Sequence, residues 1–364
     1  MNSILYVSAF PPNQKTAGQD YSRRLILDLL AKGYKVDLIY AAYPSHEVDL
    51  PESVNRVYEI TPSLKNCLSK SFMHPFFTKR FDKNAVKIIQ KIAKEYDAIY
   101  FDFSQVFIYS LFVQHPLKIM MCHDIICQKF GRQHPLQLSW IKSGERKLLK
   151  KSNLRLTFSQ KDSDILQKQY RLNSTPVKFY LKNDNFKYPD NFSLTDSFCF
   201  YGAWNRKENY ETLNWFIEKV KPLLTRKMNY IVIGGGLSKE LQNELQNELI
   251  SLGIKVLGFV EDPVLEVSKC QALIAPLMHG AGVKVKVIDA LTSGTSVIGT
   301  NVTFEGVEDN QEHKLFYNAK KPEDFARIIN NWKTVSVESK KLASKEFLDR
   351  YNTGHFPDIL NKFI

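Results

Sequence analysis

The run His279–Gly299, HGAGVKVKVIDALTSGTSVIG, gathers the residue types that bind an anion. Gly280 and Gly282, either side of Ala281, let a backbone approach a ligand closely. The pattern predicts a helix beginning near Val283, with its free N–H groups and positive dipole end turned toward the loop. Lys284 and Lys286 add positive charge there, and Asp289, three residues past Lys286, shares its side of the helix. Cations and free N–H groups suit a diphosphate. A carboxylate one turn deeper suits the two hydroxyls of a ribose. A solvated helix start with an incidental ion pair would use the same residues, but the glycine loop, the preceding IAPL run and the Gly294 turn favour a nucleotide diphosphate. His123 is the second candidate. It ends the apolar run KIMMCHD and precedes Asp124, which places it at the carboxyl edge of a sheet, where it could hydrogen-bond a sugar hydroxyl. A satisfied core histidine is the competing reading, and the strand-end position favours function.

Other chemistries find less support. Lys161–Asp164, KDSD, contains an Asp-x-Asp, but the segment follows a strand and opens a helix, where acids favour the dipole. The scattered Cys and His residues give no zinc spacing. GGGLSKE lacks the Gly-Lys-Ser/Thr ending of a P-loop, and Lys239 stands where a Rossmann dinucleotide fingerprint needs glycine. No metal site is therefore expected.

The elements that must position these residues alternate between strand and helix. Ile4–Ser8, a helix containing Leu25, Ile26, Leu29 and Leu30, and Val36–Ala41 form a βαβ opening. Ala98–Phe103, Lys118–Asp124 and Leu154–Ser159 read as further strands, and VFIYSLFV (106–113) as a buried strand or short helix. After the polar stretch 183–197 a second alternation begins, with strands at Phe198–Gly202, Tyr230–Gly236, Lys255–Val260, Ala272–Leu277 and Ser296–Thr300. We expect an α/β chain: a domain over 1–182, a linker over 183–197, a second domain over 198–339, and a helical tail over 340–364 that crosses back to the first domain.

The 364 residues suit two such domains, and a 44% hydrophobic content fills two cores. The formal net charge of +12 favours an anionic partner. Nucleic acid is not expected, because no helix-turn-helix, zinc or RNA-binding motif is visible. Lys65–Lys94 carries eight Lys/Arg against Asp82 alone, interleaved with Phe72, Phe76, Phe77 and Phe81. It suits either an anionic membrane face or a helix with solvated lysines. The N-terminus lacks a secretory pattern, no run is long enough to span a bilayer, and the five cysteines form no C-x-x-C pair. The expected location is cytoplasmic, with the basic run as a peripheral membrane contact.

Four motifs in order, YGAWNRKENYETLNWF, IVIGGG, LGFVED and APLMHGAGVKVKVIDALTSGTSVIG, make the second half resemble the donor-binding domain of GT-B glycosyltransferases, specifically family 4, the retaining group 1 enzymes. The first half resembles their acceptor domain more loosely, through SAFPPNQKTAGQDYSRRLILDLLAKGYKVDLI, MMCHDII and TFSQKDSDIL. The resemblance implies a GT-B fold, two Rossmann-like doubly wound domains facing a central cleft. It implies transfer of a sugar, with retention, from a nucleotide-diphosphate sugar to a hydroxyl of a glycan or lipid-linked acceptor, in bacterial surface polysaccharide or glycoconjugate synthesis, with the donor as substrate and no cofactor. It places Gly18, Arg206, Lys207, Gly280, Ala281, Gly282, Val283, Lys284 and Lys286 at the diphosphate, Asp289 at the ribose, Phe259 and Val260 near the base, and His123 at the donor sugar as the catalytic candidate. Two departures stand out. The family pattern has two glutamates eight apart, and this chain has Ala281 and the shorter Asp289. The missing first acid leaves open a catalytically inactive sugar-nucleotide-binding subunit, or a GT-B-like epimerase.

Overall fold

The computed structural model describes residues 2–363 apart from 45, 64, 66–71, 182 and 237–248. The chain forms two compact units, Met1–Tyr180 with Thr353–Ile364, and Leu181–Asn352.

The first unit is built on a parallel sheet of β1 (Ser3–Ser8), β2 (Lys35–Ala41), β3 (Val57–Ile60), β4 (Ala98–Asp102), β5 (Lys118–Cys122), β6 (Leu154–Thr157) and β7 (Thr175–Pro176), in the order β3-β2-β1-β4-β5-β6-β7. β1, β4 and β5 are buried throughout, as a sheet covered on both faces requires. Strand order reverses between β1 and β4, where Ser8 pairs with Asp102. The helix Ala17–Ala31 follows β1. Thr16 caps it by accepting from the Gln19 N–H, and it buries Tyr21, Ser22, Leu25, Ile26 and Leu29.

The second unit repeats the plan with β8 (Ser197–Tyr201), β9 (Asn229–Ile233), β10 (Ile254–Gly258), β11 (Ala272–Ala275), β12 (Ser296–Gly299) and β13 (Phe316–Asn318), in the order β10-β9-β8-β11-β12-β13 and again parallel. Its order reverses between β8 and β11. A ligand of such a sheet binds outside the carboxyl ends at that reversal.

The structure differs from the sequence reading at several points. β3, β7 and β13 were not expected; they are short and half-exposed, so no apolar run marks them. The apolar run after β4 lies largely in the 3-10 helix Ser104–Leu111 rather than a strand or α-helix. The helix of the opening motif starts at Val285, with Lys284 as its cap residue, not at Val283. The tail divides at Thr353 and not at Lys340. Lys340 is buried with its ammonium on the carbonyls of Ser268 (2.6 Å) and Cys270 (2.7 Å), and Ser344 donates to Thr292 O at 2.6 Å, so the helix Val337–Tyr351 is anchored in the second unit. Phe356–Leu360 belongs to the first, where Lys32 pairs with Asp358 at 2.6 Å.

The basic run also resolves into parts. Residues 66–71, Lys70 included, lie outside the described residues. Phe77 and Phe81 are core residues, and the helix Lys83–Ile92 buries Ala85, Ile89 and Ile92. Phe72 is exposed, with the Lys147 ammonium 4.7 Å from its ring centre. No helix among the described residues is long and apolar enough to cross a membrane.

Candidate functional site

Each unit carries a constellation of polar groups at the carboxyl edge of its sheet. In the second unit the loop after β11 leads through Gly280 (φ +127°) and Gly282 (φ +67°), a backbone region that side chains rarely adopt. The Lys284 ammonium turns back onto this loop, donating to the carbonyls of Gly282 (2.6 Å) and Ala281 (3.2 Å). Lys286 reaches the first turn of the helix Lys207–Trp215 that follows β8, donating to Asn209 Oδ1 at 2.6 Å. Asn209 in turn donates to the Ala203 carbonyl at 2.8 Å. A Cβ at Gly202 would stand 2.8 Å from Asn209 Nδ2 and 3.2 Å from Lys286 Nζ, so a side chain there would crowd the Asn209–Lys286 contact. Two separate sequence motifs, the Gly202–Asn209 loop and the Gly280–Lys286 loop, are thus joined through one ammonium. Burial, aided by the nearby charges of Arg206 and Lys284 and opposed by Glu208, holds the Lys286 ammonium down to about 8.

The other expected donor residues of this unit divide. Arg206 lies close enough to act on Lys286 electrostatically. Lys207 is 84% exposed in its side chain and pairs with Glu211 at 3.4 Å. Val283 is half-buried beside the loop. Asp289 is 1% exposed, so it is not presented on the helix surface as its spacing implied. Its carboxylate lies against Tyr201 at the end of β8 and, after burial, is the main influence raising that phenol. Phe259 is 79% exposed just past β10, with Val260 half-buried after it, and its Cβ would sit 3.3 Å from a Cβ at Gly235.

In the first unit His123 follows β5, and its Nε2 lies 2.7 Å from Asp102 Oδ1. Asp102 ends β4 and is fully buried. Its other oxygen takes the Tyr6 hydroxyl at 2.7 Å and contacts the Ser22 hydroxyl. The imidazole stacks on Phe103 with ring centres 3.8 Å apart, and Tyr21 and Phe158 meet it edge-on at 5.3 and 5.1 Å. Phe103 pays for that stack with a φ of +69°, strained for any side chain. Gly18 belongs here: a Cβ on it would come within 3.0 Å of the Phe103 ring and 3.7 Å of His123 Nδ1. Asp102 and Phe103 escaped the sequence reading. Both lie in AIYFDF, whose apolar run reads as strand, although an acid closing an apolar strand is a visible signal.

The Asp-x-Asp stays a helix start: Ser159 caps the helix Gln160–Tyr170 by accepting from the Asp162 N–H, and Gln160 donates to Asp164 at 2.8 Å. Among the described residues no group of three or more His, Cys, Asp or Glu could hold a metal ion.

Two parallel sheets, each with polar residues at its reversal point, define a doubly wound two-domain α/β protein. Comparison with known proteins gives the class. Residues 195–332 match the family model of the glycosyl transferases group 1. Solved structures with the same fold over nearly the whole chain are Anabaena HepE in complex with UDP (17% identity, TM-score 0.69, covering 100% of this chain and 99% of that one), WaaG, a glycosyltransferase involved in lipopolysaccharide biosynthesis (13%, 0.63, 96% and 95%), and a variant of S. aureus TarM in complex with fondaparinux, alpha-GlcNAc-glycerol and UDP (11%, 0.65, 100% and 97%). The chain therefore has the GT-B fold, and residues 195–332 of its second unit are similar to the group 1 glycosyl transferases. A curated relative, an uncharacterized 44.6 kDa protein in the cps region of Klebsiella pneumoniae, is 27% identical over 172 residues. That match covers 44% of this chain and 43% of the relative.

Proposed function

We propose that the protein is a retaining, family 4 glycosyltransferase that moves a hexosyl unit from a nucleotide-diphosphate sugar to a hydroxyl of a glycan or lipid-linked acceptor. One observation carries this reading. Within the stretch similar to the group 1 glycosyl transferases, Lys286 joins the glycine loop that Lys284 folds onto with the Arg206–Asn209 segment after β8, at the carboxyl edge of the sheet. The leaving group is a nucleoside diphosphate, so stabilising the charge that develops on it is the main catalytic demand. Lys286 and Arg206, with the loop N–H groups of Gly280–Val283, would meet that demand without a cofactor or an obligatory metal. Asp289 with Tyr201 would take the ribose, the exposed Phe259 and Val260 would take the base, and His123 would face the sugar. HepE with UDP and UDP-glucose makes uridine donors the first to test.

The acceptor belongs, in this reading, to bacterial surface polysaccharide or glycoconjugate synthesis, in keeping with the cps-region relative. The enzyme works in the cytoplasm and touches the inner membrane face through its basic run. The Ala281 departure supports a second reading, a sugar-nucleotide-binding subunit without turnover. Incubation with a panel of nucleotide sugars and extracted lipids separates the two. The transferase releases nucleoside diphosphate and labels an acceptor; the binding subunit binds a donor and leaves it intact.

A further inference from the structure

Asp102 is fully buried at the reversal point of the first sheet, yet it makes no backbone cap and no ion pair with Lys or Arg among the described residues. Its three described side-chain partners are the hydroxyls of Tyr6 and Ser22 and the Nε2 of His123. Burial first, and then the Asp102 charge, push the Tyr6 phenol well above its ordinary range. Tyr6 therefore stays protonated and donates. A carboxylate can only accept, so the His123 nitrogen facing it must carry the hydrogen. Packing on three sides holds the plane of the ring. Phe103 covers one face at 3.8 Å, and Tyr21 and Phe158 stand edge-on against it. The opposite nitrogen, Nδ1, looks toward Gly18, where the missing side chain leaves room.

We propose that Asp102 is a positioning residue that fixes His123 with its hydrogen on Nε2, so that Nδ1 offers a lone pair to a substrate hydroxyl. The Phe103 stack and Gly18 complete the device: one holds the plane of the ring, and the other puts no side chain in front of its outer nitrogen. The proposal rests on the glycosyl-transfer reading for the nature of the hydroxyl, but the state of the ring does not depend on turnover.

The test is nitrogen NMR of histidine-labelled full-length protein, with the His123 signal assigned from its absence in His123→Gln. In wild type the neutral ring should carry its hydrogen on Nε2. Asp102→Asn, whose amide can donate to Nε2, should show hydrogen on Nδ1, and Asp102→Ala a mixture. Tyr6→Phe, which removes a different bond to the same carboxylate, should keep the wild-type pattern. In turnover assays Asp102→Asn should lower kcat by about tenfold, the size of one hydrogen bond, with nucleotide affinity unchanged. An unchanged His123 pattern in both Asp102 variants overturns the proposal, as does a changed pattern with wild-type kcat. Absence of turnover in wild type with every donor sinks the glycosyl-transfer reading instead and leaves the NMR arm intact.

Discussion

The two polar constellations sit at equivalent places, the carboxyl edge of a parallel sheet at its reversal, and are built in opposite ways. In the first unit His123 is enclosed: one nitrogen is bound to a buried carboxylate and three aromatic rings pack around it. In the second, Lys284 and Lys286 beside the Gly280–Gly282 loop are held by neutral oxygens of Asn209, Ala281 and Gly282, and Arg206, from the loop after β8, acts on Lys286 electrostatically. The first arrangement fixes the direction of one ring. The second keeps positive charge half out of water, where an incoming anion gains most. In the proposed transfer, orientation and charge stabilisation would fall to different units of one chain.

That division predicts separable defects. The largest is expected from Lys286→Ala, which should weaken nucleoside diphosphate binding by about 10- to 100-fold, the worth of a hydrogen bond to a charged group, and nucleoside binding far less. His123→Ala should do the reverse, lowering kcat while donor affinity holds. Calorimetry on both variants with both ligands checks this, and equal losses for nucleoside and diphosphate in Lys286→Ala would make that lysine a support of the fold.

The pH dependence follows from the same lysine. An anion favours its charged form, so diphosphate affinity should be flat below about 8 and fall as pH rises past it. Lys286→Arg, charged throughout, should flatten the fall. Identical titrations of the two proteins would contradict the assignment.

A smaller change is expected from Asp289→Asn. Losing an acceptor-only carboxylate should reduce ribonucleotide affinity by about two- to tenfold and narrow the preference over 2′-deoxynucleotides. Unchanged discrimination would confine Asp289 to holding Tyr201. The smallest effect concerns neither constellation. Gln at Lys70, Lys79, Arg80 and Lys83 should reduce co-sedimentation with phosphatidylglycerol vesicles and spare transfer to a soluble acceptor, since each surface cation adds on the order of 1 kcal/mol. Equal pelleting of wild type with neutral and acidic vesicles would remove the membrane contact.

The sequence carried the sheets well and the sites unevenly. Buried strands such as β1 and β11 announce themselves as apolar runs, whereas β13 pairs at an edge with half-exposed residues and gives no such signal. Lys286 was legible because glycines and a second cation lie beside it in the chain. Its link to Asn209, 77 residues away, and that of His123 to Asp102, 21 residues away, are made by strand order, which local patterns do not encode. Asp289 shows the converse: spacing set its face on the helix, but not the depth at which β8 would cover it.

The central claim is that the cations at the Gly280–Lys286 loop serve sugar transfer and not donor binding alone. The most direct measurement follows nucleoside diphosphate release from a panel of nucleotide sugars, with and without extracted lipid and glycan acceptors, in wild type and Lys286→Ala. The wild type should release nucleoside diphosphate from one donor only with an acceptor present, and Lys286→Ala should nearly lose that release. A wild type that binds a donor tightly and never consumes it, with any acceptor, would contradict the claim.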